Sequence, residues 1–91
     1  MTELTRDELL VLLCEEAAEV IQAAAKCLRF GFDTIGPGDY GRNDLALARE
    51  CGQVFAIVDA LDLNLELIIA GHREKIDKAE AAKAQYGVPH A

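Results

Sequence analysis

Two pairs of polar side chains interrupt apolar stripes at helical spacing in this sequence. Glu16 and Glu19 form the first pair, and Glu50 and Gln53 form the second. Side chains three residues apart on a helix face the same way, with their Cβ atoms roughly 5–6 Å apart. If the two stripes face each other, three carboxylates and one amide converge on the seam between two helices. Like charges are costly to bury unless something neutralises them, so this all-oxygen cluster favours a site for Mg²⁺ or Mn²⁺.

The alternative interpretation is that these acids form a solvated helix face, because such spacing is also common on exposed helices. The apolar residues that flank both pairs add support for the metal site, but they do not decide between the two interpretations. Glu15 lies one step round the helix from Glu16, on a stripe with other polar residues, and we expect it to face solvent.

The two pairs must be positioned by helices, because apolar residues recur through the chain at spacings of three and four. Three helices are predicted, over residues 5–28, 44–61 and 64–86, with a glycine-rich loop over residues 30–43. The pattern predicts an all-α fold and a single domain spanning residues 1–91. In this fold the first two helices carry the polar pairs.

Local signals mark where each helix begins and ends. Thr5 and Glu8 have the spacing of a capping box at the start of the first helix. Asn43 or Asp44 is expected to cap the second helix, and Asn64 the third. The residues expected to stop the first and third helices are Gly31, Gly87 and Pro89.

The second predicted helix is apolar on nearly all of its faces. A chain of 91 residues has too little other protein to cover every face of such a helix. Burial of Val54, Ile57, Val58 and Leu61 would contribute about 1.5–3 kcal/mol each. We therefore expect at least a homodimer, in which helices of a second copy complete a four-helix bundle.

Composition and charge exclude several classes of protein. The net charge of −7 does not suit a partner as negative as nucleic acid. The longest apolar run, residues 9–14, is far shorter than the 18 or so residues that cross a membrane, and no secretory signal is expected. Three cysteines without metal-ligand spacing favour a reducing, cytoplasmic location and a role as small buried side chains.

The residues around the first pair resemble those of a known family. Residues 15–24 (EEAAEVIQAA), followed by Arg29, Phe30 and Gly31, are similar to the first-helix signature of the all-α NTP pyrophosphatases, the MazG-like superfamily. The last predicted helix is similar as well, so the resemblance covers about residues 8–87.

The motifs of that family are ExxE on one helix and ExxD on the next. Glu16 and Glu19 match the first motif, and Glu50 matches the first position of the second. Gln53 stands where the family has an Asp. A neutral amide oxygen binds a metal more weakly than a carboxylate does, and an amide cannot act as a base near neutral pH.

The resemblance implies a reaction and a site. Members of the family bind Mg²⁺ through four acidic side chains and hydrolyse a nucleoside triphosphate to the monophosphate and pyrophosphate. They work as dimers or dimers of dimers, with a four-helix bundle around each site. Carried over to this chain, the resemblance implies that Glu16, Glu19 and Glu50 are catalytic residues and metal ligands, and that Gln53 is a metal ligand.

A chain of charge −7 repels a triphosphate, so the implied reaction needs the bound cations, and basic side chains are candidates for further phosphate contacts. Lys75 and Lys78 on the third predicted helix are the expected phosphate contacts. Lys26 or Arg29 on the first is a further candidate, and spacing does not decide which of the four face the site.

The sequence supports three functional interpretations. The leading one is a cytoplasmic, Mg²⁺-dependent nucleotide pyrophosphohydrolase that forms a homodimer or homotetramer. The second is a degenerate homologue that binds nucleotide or a protein partner without turnover, because Gln53 weakens the ligand set. The third is a helical interaction module whose acids are a solvated face.

Overall fold

The computed structural model describes residues 3–35 and 41–87 of the chain. Within these residues the chain forms no strand and three helices, which are α1 (Arg6–Phe30), α2 (Asn43–Leu61) and α3 (Leu65–Tyr86). The prediction of an all-α fold is confirmed. Outside the described residues lie Gly36, Pro37 and Gly38 of the predicted loop and Pro89 of the predicted stop signal.

Helix α1 begins as predicted, with a complete capping box. The Thr5 hydroxyl accepts a hydrogen bond from the Glu8 N–H at 3.1 Å, and the Glu8 carboxylate accepts one from the Thr5 N–H at 2.9 Å. The helix runs past the predicted residue 28 to Phe30. It ends there because Gly31, with a φ of 105°, turns the chain away, while the Gly31 N–H still donates to the Cys27 carbonyl at 2.9 Å.

Helix α2 begins at Asn43, so neither Asn43 nor Asp44 precedes it as a cap, and that prediction is wrong. The Asn43 side chain is buried, and its Nδ2 donates to the Gly31 carbonyl at 2.9 Å. The Asp44 carboxylate pairs with the Arg42 guanidinium at 2.9 Å. Both side chains are therefore engaged by groups other than the free N–H groups of the first helical turn.

Backbone carbonyls of the loop satisfy those N–H groups instead. The Thr34 carbonyl accepts a hydrogen bond from the Asn43 N–H, and the Phe32 carbonyl accepts one from the Asp44 N–H, both at 2.9 Å. The first N–H groups of a helix have no partner within the helix, so these bonds cap α2. They also fasten the chain that leaves α1 to the beginning of α2.

Helices α1 and α2 pack against each other as an antiparallel hairpin. The end of α1 meets the start of α2 at Gly31 and Asn43, and Glu16 lies beside Gln53 near the middle of both helices. The buried apolar residues in the described part of the chain are Leu9, Ala23 and Ile57. The half-buried residues of α1 follow the predicted spacing of three and four and are Leu12, Leu13, Glu16, Val20, Ala24 and Cys27.

The chain divides after Leu61 into two compact units, and α3 lies in the second. Asn64 caps this helix as predicted, because its Oδ1 accepts a hydrogen bond from the Leu67 N–H at 3.0 Å. Gly87 ends it as predicted, in the left-handed conformation with φ 83° and ψ −14°. No residue of α3 is buried. The interpretation of the chain as one domain stays a prediction.

Large apolar side chains are exposed on all three helices. Leu28 on α1 is 89% exposed, Phe55 on α2 is 66% exposed, and Leu67 on α3 is 69% exposed. Isolated exposed apolar residues are ordinary in soluble proteins, but so many on a small chain are typical of surfaces that meet another protein.

Two expectations from the composition concern the burial of the cysteines and the presence of a membrane-spanning helix. Cys14 is exposed, so the expectation that the cysteines are buried is wrong for this residue, whereas Cys27 and Cys51 are half-buried. All three are free thiols. No helix in the described ranges combines the length and the apolar character needed to cross a membrane.

Candidate functional site

The predicted stripes of α1 and α2 face each other near the middle of the hairpin. Glu16 on α1 and Glu50 on α2 are both half-buried at the seam. The Oε2 atoms of Glu16 and Glu50 lie 2.8 Å and 3.0 Å from the side-chain amide of Gln53. Helical spacing sets Gln53 beside Glu50, and the packing of the two helices brings Glu16 up to both. Carboxylates from two helices therefore converge on one point.

The amide of Gln53 presents its nitrogen to these carboxylates. An ionised carboxylate accepts hydrogen bonds and cannot donate them, so an amide oxygen at this point would face two acceptors. Hydrogen bonding assigns the nitrogen to this position, where it donates to Glu16 and to Glu50. Both bonds are charge-assisted, but Gln53 is exposed, so water competes for them and each contributes only about 0.5–1 kcal/mol. A neutral donor thus joins two anions at the seam.

Glu19 lies one turn beyond Glu16, is exposed, and lines a cavity next to the cluster. The cavity has a volume of about 160 Å³, and Glu50, Lys26 and the buried Asn43 also line it. Glu50 belongs to both the cluster and the cavity, so the two features are continuous. Pockets that hold a whole small-molecule ligand usually measure about 300–1,000 Å³, so this cavity by itself accommodates a smaller group.

The basic residues that the sequence offers as candidate phosphate contacts lie in different parts of the structure. Lys26 lines the cavity, whereas the Arg29 guanidinium lies over the ring of Phe30, 5.0 Å from its centre. Lys75 and Lys78 are exposed on α3, in the second unit of the chain. Their expected role as phosphate contacts stays a prediction.

The oxygen atoms at the seam suit a hard divalent cation in kind, because Mg²⁺ and Mn²⁺ prefer carboxylate and carbonyl ligands. In the part of the chain that the structure describes, however, no three His, Cys, Asp or Glu side chains are grouped as a metal site. Gln53 adds a ligand only if its amide turns and presents the oxygen. The ligand set of Glu16, Glu19, Glu50 and Gln53 therefore stays a prediction.

Asn43 is the site residue whose position sequence reasoning missed. An Asn that follows a glycine-rich loop and precedes an apolar helix is typical of a helix cap, and this local signal led to the wrong role. Its partner, the Gly31 carbonyl, is 12 residues away in the sequence. Such a contact follows from how the loop closes, and no local pattern predicts it.

This arrangement combines two converging carboxylates, a third beside a small cavity, and an ammonium group on the cavity wall. It can bind a cation at the carboxylates, and Lys26 can offset negative charge on a group that enters the cavity. Comparisons of the chain with protein-family models, with curated proteins and with solved structures find no match.

Proposed function

We propose that this protein is a Mg²⁺-dependent nucleoside triphosphate pyrophosphohydrolase of the MazG-like type. The observation that carries the proposal is the convergence of Glu16 and Glu50, from two helices, on one point in a half-buried seam. Apolar side chains would usually stabilise such a seam more than two anions do. Hydrogen bonds from Gln53 hold the two carboxylates without neutralising them, and a cation that binds there would remove their remaining repulsion.

The side chains have separate roles in this proposal. Glu16 and Glu50 hold the cation, and Glu19 faces the cavity in which a phosphate group is bound. Lys26 contacts that phosphate, and Lys75 and Lys78 supply further phosphate contacts. When bound, Mg²⁺ offsets the charge of the triphosphate and polarises the attacking water. The reaction breaks the bond between the α-phosphorus and the oxygen that bridges to the β-phosphorus, and releases pyrophosphate and the nucleoside monophosphate.

The proposed enzyme works as a homodimer or as a dimer of dimers in the cytoplasm. A cavity of about 160 Å³ is too small for a nucleotide, so a second copy must enlarge it. The exposed Phe55 and Leu28 provide apolar surface for that second copy. The resulting four-helix bundle would surround the carboxylates and exclude water from them.

The test is a screen of nucleoside and deoxynucleoside triphosphates for pyrophosphate release with and without Mg²⁺. We expect release that requires Mg²⁺, falls by at least a factor of about 100 in Glu50→Gln, and is unchanged in Glu15→Gln, whose side chain is exposed beside the seam. No release from any triphosphate, or equal release by the two variants, would refute the proposal.

The second candidate function is a MazG-like protein that binds nucleotide without hydrolysing it. The amide nitrogen of Gln53 favours this alternative, because it holds the two carboxylates that a catalytic cation needs. In that case triphosphates would raise the melting temperature in the presence of Mg²⁺ and no pyrophosphate would appear.

A further inference from the structure

Gln53 joins the two carboxylates of the seam without neutralising either of them. With its nitrogen on the side that hydrogen bonding assigns to it, the Gln53 amide places that nitrogen 2.8 Å from an oxygen of Glu16 and 3.0 Å from an oxygen of Glu50. An amide nitrogen carries two hydrogens, so it can donate to both carboxylates at once. Each oxygen is at the separation of a good N–H···O hydrogen bond. The amide hydrogens therefore lie between the two anions and offset part of their mutual repulsion.

We propose that Gln53 is an internal substitute for the cation. Its amide holds Glu16 and Glu50 together across the seam when no metal is bound, and the amide must turn before a cation can take that position. Gln53 is therefore a positioning residue that stabilises the metal-free protein and weakens its affinity for divalent cations. This inference rests on the proposed function for the nature of the cation, but the hydrogen-bonded clamp itself does not depend on any reaction.

The Gln53 amide and a cation compete for one position between the two carboxylates. The amide hydrogens carry partial positive charge, so a cation placed between the two carboxylates would repel them. If the amide turns, its oxygen can join the carboxylates as a ligand, but both charge-assisted hydrogen bonds are lost. Cation binding must therefore replace these bonds. A carboxylate at position 53 would have the opposite effects. It would repel Glu16 and Glu50 in the metal-free protein and would attract the cation more strongly.

The test compares melting temperatures in EDTA and in millimolar Mg²⁺. Gln53→Met removes the donor at nearly constant size, and Gln53→Glu replaces it with a third anion of the same length. Gln85→Met is the matched control, because Gln85 is exposed on α3. Gln53 is exposed as well, so we expect a loss of about 1 kcal/mol: in EDTA Gln53→Met should melt roughly 4–8 °C below wild type and Gln53→Glu lower still, with Gln85→Met unchanged.

Addition of Mg²⁺ should raise the melting temperatures of wild type and Gln53→Glu to different extents. Gln53→Glu should show the largest rise in melting temperature, and isothermal titration calorimetry should give it at least a tenfold smaller dissociation constant for Mg²⁺ than wild type. If Gln53→Met is too unstable to fold, the effect of Mg²⁺ on the melting temperature of Gln53→Glu still tests the inference, because Mg²⁺ should restore the fold of that variant. Equal melting of Gln53→Met and Gln85→Met in EDTA, or equal Mg²⁺ affinity of Gln53→Glu and wild type, would overturn the inference.

The outcome is independent of pyrophosphate release. A wild-type protein that releases no pyrophosphate, with Gln53→Met destabilised in EDTA, would leave the Gln53 clamp standing and refute the enzyme. Pyrophosphate release by a wild type whose stability does not depend on Gln53 would leave the enzyme standing and refute the clamp.

Discussion

Glu15 and Glu16 are neighbours in the sequence with different surroundings. Glu16 is half-buried and accepts a hydrogen bond from Gln53, whereas Glu15 is exposed. We expect Mg²⁺ to raise the melting temperature of wild type and of Glu15→Ala, and to have no such effect on Glu16→Ala or Glu50→Ala. A cation at ten times its dissociation constant stabilises the folded state by about 1.4 kcal/mol, which raises the melting temperature by roughly 5–10 °C.

Differential scanning fluorimetry of the four proteins measures this response. An equal Mg²⁺ response in Glu15→Ala and Glu16→Ala would mean that the acids at the seam act as ordinary surface charge. The functional interpretation would then pass to a helical interaction module.

At the scale of residues, the sequence predicts which side chains meet but not how they bond. Helical spacing is enough to bring Glu50 and Gln53 to one face, and the apolar residues around Glu16 indicate that its stripe faces the seam. Which end of the Gln53 amide points inwards depends on the acceptors that surround it. The orientation of the amide decides whether Gln53 acts as a metal ligand or as a hydrogen-bond donor. It follows from how the two helices pack and cannot be read from the sequence.

At the scale of elements, the turn after α1 depends on Gly31. Its φ is 105°, and an added Cβ would lie 2.6 Å from the Thr34 hydroxyl oxygen. We expect Gly31→Ala to lower the free energy of unfolding by about 1–3 kcal/mol. Gly52→Ala is the control, because Gly52 lies within α2 with nothing within 4 Å of its added Cβ, and there Ala should be neutral or stabilise by up to ~1 kcal/mol. Urea unfolding of both variants at one protein concentration measures the difference, and equal effects would contradict this role for Gly31.

The start of α1 has its own pH dependence. The hydrogen bond from the Thr5 backbone N–H, together with one from the Thr5 hydroxyl, lowers the pKa of Glu8 below its ordinary value of 4.5. The stabilisation from ionised Glu8 is therefore fully present above pH 4.5 and is lost as the pH falls through the lower folded-state pKa. Unfolding measured by circular dichroism should show this loss in wild type and not in Glu8→Gln. The same pH dependence in both proteins would show that Glu8 does not contribute.

Helix ends that depend on local contacts could be predicted, and those that depend on distant ones could not. Thr5 and Asn64 bond to N–H groups three residues away, so their spacing reveals the caps. Asn43 bonds instead to Gly31, across the whole loop. Closure of that loop therefore decides where α2 begins.

At the scale of the whole molecule, the exposed apolar surface predicts self-association. Ile21 is 70% exposed and Phe55 is 66% exposed, although both lie on helices of the hairpin. We expect sedimentation equilibrium at micromolar concentration to give the mass of a dimer or a tetramer. A monomeric mass would contradict the four-helix bundle and leave the cavity too small for a nucleotide.

The apolar sequence of α2 indicates that this helix needs further protein around it. It does not predict which faces contact a second copy, because that depends on the shapes of the two surfaces.

Binding of a divalent cation where Glu16 and Glu50 converge underlies both the proposed reaction and the proposed role of Gln53. Substoichiometric Mn²⁺ added to ¹⁵N-labelled protein tests it most directly, because a paramagnetic ion broadens the NMR signals of the nuclei nearest to it. We expect the Gln53 side-chain amide and the backbone amides of Glu16 and Glu50 to broaden first, and we expect Glu16→Gln, but not Glu15→Gln, to remove this preference. Broadening spread evenly over the exposed acids, such as Glu74 and Glu80 on α3, would contradict it.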